Sequence, residues 1–86
     1  MLHFFDVEGL LVRRWVPGQR RVAMEVWNGD GWANYTNVDN VSRRGVRVDP
    51  DRALVILQTR REASGALAPF TPDEAAEALS SRQRRA

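Results

Sequence analysis

The alternation of hydrophobic and polar positions is clearest between residues 20 and 36, in the run RRVAMEVWNGDGWANYT. Two strand-favouring stretches flank the loop 28–31, and Asn-Gly-Asp-Gly loops commonly close β-hairpins because Asn and Gly tolerate positive φ. A period of two puts Trp27 and Trp32 opposite each other on one face. That face also receives Ala23, Glu25 and Asn34. The other face receives Val22, Met24, Val26, Ala33 and Tyr35.

A second hairpin is predicted before it, over residues 3–16. Phe4-Phe5 is followed by the turn-like residues 6–9 and by the strand-like residues 10–15. Pro17-Gly18 then predicts a type II turn into the central hairpin. The first 36 residues therefore predict a four-stranded antiparallel meander. Because residues 10–12 are all apolar and point to both faces, the meander needs cover on at least one side.

Three helix-start signals follow the meander. Asn37 is predicted to cap a short helix near 38–43, with Gly45 as the left-handed residue after its end. Asp49-Pro50 predicts a helix over 50–62, with Pro in the first helical position. Thr71, with Glu74 three residues later, predicts a capping box and a helix over 72–83, whose few apolar residues leave it prone to fray. The predicted fold class is α+β: an N-terminal antiparallel meander of about four strands (1–36) covered by two or three helices (37–86).

An alternative reading keeps the chain largely β. Residues 46–48 and 53–58 could pair as a hairpin around the sequence DPDR, since Val55-Ile56 is β-branched and the run ALVIL has no helical polarity. The chain would then form a small SH3-like or OB-like β-barrel with a C-terminal helix. The two readings differ in whether residues 53–58 are helix or strand.

Length and composition fit one small domain over residues 1–86. The chain is 43% hydrophobic and 28% charged, which suits a single compact core. The absence of Cys excludes a disulfide-stapled secreted scaffold and makes a cytoplasmic location the expectation. No apolar run approaches the ~20 residues that span a bilayer, and the start MLHFFDVEG has acids where a signal peptide has bases. We therefore expect no association with membranes.

Arginine supplies all thirteen basic residues of a chain with net charge +2 and a sequence pI near 10.4. Ten of these residues form five Arg-Arg pairs, at 13–14, 20–21, 43–44, 60–61 and 84–85. The bidentate guanidinium group suits phosphate and carboxylate recognition. The ordinary interpretation is that such pairs are solvated and cover apolar surface with their stems.

The residue types argue against catalysis and against a metal or cofactor site. The chain has no Cys, no Lys and a single His, so an activated nucleophile beside a base is hard to assemble. His3 stands at the start of the first strand and is expected to be an ordinary strand-end residue. One His without Cys leaves only carboxylates as metal ligands. The prediction is a protein that is not an enzyme and holds no cofactor.

Two binding functions remain. The first is a protein-interaction module, acting as an adaptor, subunit or homodimer, because Trp, Tyr and Arg are enriched at interface hot spots. The alternative is nucleic-acid binding, in which the same aromatics stack bases while Arg pairs hold the backbone. The modest net charge favours the first. The candidate binding residues are Trp27, Trp32, Trp15, Tyr35, Arg13, Arg14, Arg20 and Arg21. Alternatively, the aromatic residues complete the core.

Overall fold

A five-stranded antiparallel sheet organises the computed structural model, which describes residues 1–16, 24–65 and 67–81. The strands are β1 (Leu2–Val7), β2 (Leu10–Trp15), β3 (Met24–Trp27), β4 (Trp32–Asn34) and β5 (Gly45–Val48). Their order across the sheet is β4-β3-β2-β1-β5. The predicted four-stranded meander is confirmed. The predicted turn at Pro17-Gly18 lies outside the described residues, as do Ala23 and Val22.

Three helices complete the α+β fold: α1 (Val38–Arg44), α2 (Pro50–Ala63) and α3 (Pro72–Ser80). Each begins at the predicted cap, because the side chains of Asn37, Asp49 and Thr71 accept hydrogen bonds from the first-turn backbone. The capping box of Thr71 and Glu74 is also confirmed. The described part of α3 ends at Ser80, short of the predicted residue 83. Within the described ranges, no helix is both long and apolar enough to cross a membrane.

The prediction for Gly45 is wrong. Its φ of −77° and ψ of 136° are extended, and it begins β5, a fifth strand that the α+β prediction did not include. The reason for a glycine here is steric, since a Cβ at position 45 would lie 2.5 Å from the carbonyl oxygen of Val41 in α1. The glycine thus lets a strand leave directly from the last turn of a helix.

The barrel alternative is also wrong. Residues 46–48 do form a strand, but they pair with β1 and not with residues 53–58, which belong to α2. β4 and β5 are the outer strands of an open sheet. The apolar run ALVIL suits a helix, because its buried residues Ala53, Ile56 and Leu57 are spaced three and four apart and so lie on one side of α2.

The central hairpin has the predicted register. Trp27 pairs with Trp32 across β3 and β4. The Asn28 side chain accepts hydrogen bonds from the backbone N–H groups of Asp30 and Gly31 at 3.1 and 2.9 Å. Gly29 has φ of 104°, which is the left-handed conformation for which glycine is suited. Local turn chemistry therefore fixes which residues share a face of the sheet.

The sheet packs on both of its faces. The α2/α3 face carries the larger cluster, in which Phe4, Leu11, Trp27 and Trp32 pack against Ala53, Ile56, Leu57, Ala75 and Leu79. The opposite face, called here the α1 face, buries Val7, Val12 and Met24, with Phe5, Leu10, Val26, Tyr35 and Val41 around them. The face that was predicted to carry two Trp among polar neighbours is therefore the one that the two longer helices cover.

Candidate functional site

Trp27 and Trp32 lie in the core, with 2% and 1% of their surfaces exposed. Their rings meet edge to face, with centroids 5.3 Å apart and planes at 61°. The Trp32 indole N–H donates to the carbonyl oxygen of Ala78 in α3 at 2.8 Å. Phe70 packs beside Trp27 with a centroid separation of 6.1 Å. These two indoles hold the helices on the sheet and present almost no surface to a partner.

Arg13 is buried beneath α3. Its Nε donates to Glu25 Oε1 at 2.9 Å, and its Nη1 donates to the carbonyl oxygen of Leu79 at 2.8 Å. Its Nη2 donates to the carbonyl oxygen of Ser81, and its guanidinium lies 4.0 Å from the Trp32 ring centroid. The last carbonyl groups of a helix carry partial negative charge and lack intrahelical donors. Arg13 therefore acts as the C-terminal cap of α3.

The other predicted binding residues lie on both sides of the sheet. Trp15 is partly buried on the α2/α3 face, and its indole N–H donates to Glu25 Oε1 at 3.3 Å. Arg14 follows Val12 by two residues and so lies on the α1 face. Tyr35 is on that face too, and its hydroxyl accepts from Asn40 Nδ2 at 3.0 Å. Arg20 and Arg21 are outside the described residues. The described candidates do not form one surface.

A groove between α2 and α3 was not predicted from the sequence. It has a volume of about 430 Å³. Val55 is 52% exposed beside it. Gln58 Nε2 donates to the carbonyl oxygen of Phe70 at 2.9 Å, whereas the Gln58 Oε1 atom is buried without a hydrogen-bond partner. The residues that line this α2/α3 groove are Leu54, Val55, Gln58, Thr59, Glu62, Pro72 and Ala75.

Both helices that form the α2/α3 groove carry exposed acidic residues. Asp51 and Glu62 are exposed and stand four residues before and seven residues after Val55, which places all three on one side of α2. α3 carries Asp73, Glu74 and Glu77 and no basic residue. The nearby Arg61 is directed inward, since its guanidinium lies 3.7 Å from the Phe70 ring centroid. The groove is thus apolar, with Glu62 in its lining and four further acids on the two helices that form it, called here its acidic border. Arg52 and Arg60 line an adjoining cavity on the other side of Val55 and Thr59.

The Glu74 carboxylate is held in its charged form. The hydrogen bond from the Thr71 backbone N–H, at 3.0 Å, is the main cause of its lowered pKa. The Thr71 hydroxyl lowers that pKa further, burial opposes this, and the positive charge of Arg61 adds a lesser lowering. Glu74 thus works as a helix-capping group at neutral pH.

His3 lies among positively charged groups. His3 lies on β1, next to Arg14 of β2. Burial, followed by the charges of Arg47, Arg14 and the amino terminus, lowers its pKa. Within residues 1–16, 24–65 and 67–81, no three or more acidic, His or Cys residues are grouped so that they could hold a metal ion.

Comparison of the chain with known protein families, with curated proteins and with solved structures gives no match. The function must therefore be inferred from the structure, in which two surfaces are candidates for binding. One is the α2/α3 groove, and the other is the basic part of the α1 face around His3. A sequence pattern could have indicated the first, because Asp51, Val55 and Glu62 share a helical face once 50–62 is read as helix.

Proposed function

We propose that the chain is a small, non-enzymatic protein-interaction module, an adaptor or subunit, and that it docks its partner in the α2/α3 groove. The observation that carries the proposal is the half-exposed Val55 beside an apolar groove with an acidic border. The docking surface differs from the one predicted from the sequence, since Trp27 and Trp32 are core residues. A cytoplasmic location stays a prediction from the absence of Cys.

The charge of the border favours one kind of occupant, a basic amphipathic segment of another protein. Asp51 and Glu62 are eleven residues apart in α2, which corresponds to about 16 Å along a helix. A complementary segment has apolar residues that contact Val55 and Lys or Arg residues near both acids.

Binding of designed peptides tests this proposal. The probe is a labelled amphipathic peptide of about 18 residues, with Leu on one face and Arg near both ends, long enough to form a helix. Fluorescence anisotropy measures its affinity for the wild-type chain and for Val55→Arg. We expect the substitution to weaken binding about tenfold or more, because it places a cation where the peptide is basic.

Val38→Arg is the matched control. Val38 is 48% exposed, is also helical, and belongs to α1 on the other side of the sheet. It should leave the peptide affinity unchanged, and a peptide with Glu in place of Arg should bind more weakly. Equal weakening by both substitutions, or equal binding of both peptides, would contradict the proposal. If sedimentation instead reveals a dimer that Val55→Arg dissociates, the occupant is a second copy of this chain.

Nucleic-acid binding is the second candidate, now supported by different residues from those predicted. Arg13 is engaged with α3, and Trp27 and Trp32 are buried, so none of them supports contact with a strand. The observation that favours this candidate is the group of exposed and partly buried basic residues on the α1 face, Arg14, Arg47 and His3.

A further inference from the structure

Three basic side chains come together on the α1 face, where β2, β1 and β5 lie side by side. His3 is directly opposite Arg14 across β1 and β2, and Arg47 is directly opposite Phe5 across β1 and β5. His3 and Phe5 are two residues apart on β1 and so share a face. The register therefore places two guanidinium groups and one imidazole on neighbouring strands, on the same face as Phe5. We call His3, Arg14 and Arg47 the basic corner.

The charges of the basic corner are not neutralised within the described part of the chain. The ion pairs found there join Arg13 to Glu25 and Arg44 to Glu8, and neither involves the basic corner. His3, Arg14 and Arg47 therefore form no ion pair within the described residues.

The local electrostatics are positive. Burial is the main cause of the lowered pKa of His3, and the charges of Arg47, Arg14 and the amino terminus lower that pKa further. A cavity of about 370 Å³ opens beside His3 and Arg47, and Asp49 also lines it. The Asp49 carboxylate accepts from the Arg52 backbone N–H at 2.8 Å as the cap of α2. Among the described residues that line the cavity, Asp49 is the one acid.

We propose that the basic corner binds an oxyanion of the phosphate class. Two guanidinium groups and one imidazole supply hydrogen-bond donors of the kind that recognise tetrahedral oxyanions, and Arg can donate in bidentate fashion. Phe5 is partly buried and adds an apolar surface to the site. The site lies on the opposite side of the sheet from the α2/α3 groove, so it does not depend on the protein-docking proposal.

Titration with inorganic phosphate tests the site, and His3 is the reporter. It is the single His of the chain, so its imidazole signals in NMR spectra need no separation from others. At constant ionic strength, phosphate should shift these signals to saturation and raise the His3 pKa, because a bound anion favours the imidazolium form. Chloride at the same ionic strength should not reproduce the shift. A chloride response equal to that of phosphate would overturn the proposal.

Three variants, each lacking one positive charge, show which residues bind the phosphate. Arg14→Gln and Arg47→Gln should each weaken phosphate binding about fivefold or more. Arg52→Gln removes the same charge from the helix layer and should leave the affinity unchanged. Arg47 is exposed, so its variant retains the fold and keeps the test decisive even if Arg14→Gln unfolds. Equal weakening by Arg47→Gln and Arg52→Gln, or no His3 response to phosphate in the wild-type chain, would overturn the proposal.

The phosphate can belong to a small molecule or to a nucleic acid, and an oligonucleotide separates these sources. A strand of about eight thymidines that binds through two or three phosphates should show a slope of log affinity against log salt of roughly −1.4 to −2.1. If bases stack on Phe5, Phe5→Leu should weaken this binding about tenfold and leave inorganic phosphate binding intact. That result supports the site with a single strand as its ligand. Phosphate binding without oligonucleotide binding supports it with a small phosphorylated ligand.

Discussion

Arg13 and Arg44 each donate to a glutamate at 2.9 Å, yet their surroundings differ. The side chains of Arg13 and Glu25 are 0% and 5% exposed, whereas those of Arg44 and Glu8 are 62% and 59% exposed. Water and salt screen the exposed pair, so its net contribution to stability is small. Removal of one partner from the buried pair leaves the other charge without compensation.

The two pairs therefore predict different effects on stability. Arg13→Gln should lower the free energy of unfolding by about 3 to 5 kcal/mol, and Arg44→Gln should lower it by less than about 1 kcal/mol. Urea denaturation followed by circular dichroism measures both. The double variant Arg13→Met with Glu25→Met should recover only the part of the loss that comes from the uncompensated Glu25 charge, because the carbonyl groups of Leu79 and Ser81 still lack their donor. Similar losses for Arg13→Gln and Arg44→Gln would show that the buried pair has no special role.

For individual residues, the sequence predicted which ones pair across the strands but not which ones are exposed to solvent. The period of two correctly placed Trp27 opposite Trp32 with Glu25 on the same face. It could not tell which face the helices cover, because alternation is the same for a core face and a binding face. The role of Arg13 depends on carbonyl groups 66 and 68 residues later in the chain. No local pattern around Arg13 contains that information.

Among the elements, α3 depends on groups at both of its ends. The Thr71 and Glu74 capping box holds its first turn, and Arg13 and Trp32 bind carbonyl groups of its last turn. The helix buries only Ala75 and Leu79. The sequence showed that α3 has few apolar residues. It did not show that Arg13 of β2 and Trp32 of β4 donate hydrogen bonds to the helix and compensate for the small buried area.

The capping box makes the stability of α3 depend on pH. The folded pKa of Glu74 is lowered, chiefly by the Thr71 backbone N–H. Its contribution is thus fully present above the ordinary glutamate pKa of 4.5 and is lost as the pH falls through the folded pKa. Wild type should exceed Glu74→Gln in unfolding free energy near pH 6, and the difference should shrink in acid. Urea denaturation across this pH range measures it.

Glu77→Gln is the control for this pH effect. It removes a carboxylate from the same helix and leaves the capping box intact. Its stability curve should run parallel to that of the wild type. If Glu74→Gln is also parallel to the wild type, the capping box does not stabilise the helix in solution.

β5 illustrates why the partner of a strand can escape sequence analysis, since residues 46–48 were predicted as a strand only in the barrel alternative and with the wrong partner. Its four residues follow a helix with no loop between, and its partner β1 lies about forty residues earlier. Short strands with distant partners carry little local signal, whereas the hairpins pair neighbours through recognisable turns. Helix caps were predictable for the same reason, because capping residues act within one turn.

For the whole molecule, the open sheet predicts an order of amide hydrogen exchange. β1 and β2 have a strand on each side, whereas β4 and β5 are outer strands. The amides of β1 and β2 should exchange most slowly, and those of β4 and β5 faster, because outer strands leave part of their backbone unpaired. Exchange measured by NMR tests this. Equal protection of β4 and β5 with the central strands would instead indicate a closed barrel.

The bonds from Arg13 to Leu79 and Ser81 also bear on how the protein folds. The hairpins join near neighbours and can form early, but the guanidinium of Arg13 obtains these acceptors only when a segment 66 to 68 residues later in the chain has docked. Contacts between distant parts of a chain carry a large loop-closure entropy and slow the search for the native state. Before α3 docks, two of the Arg13 donors therefore lack their protein acceptors and must be hydrated. Docking of α3 replaces that water, so one arginine links the burial of the sheet to the arrival of the last described helix.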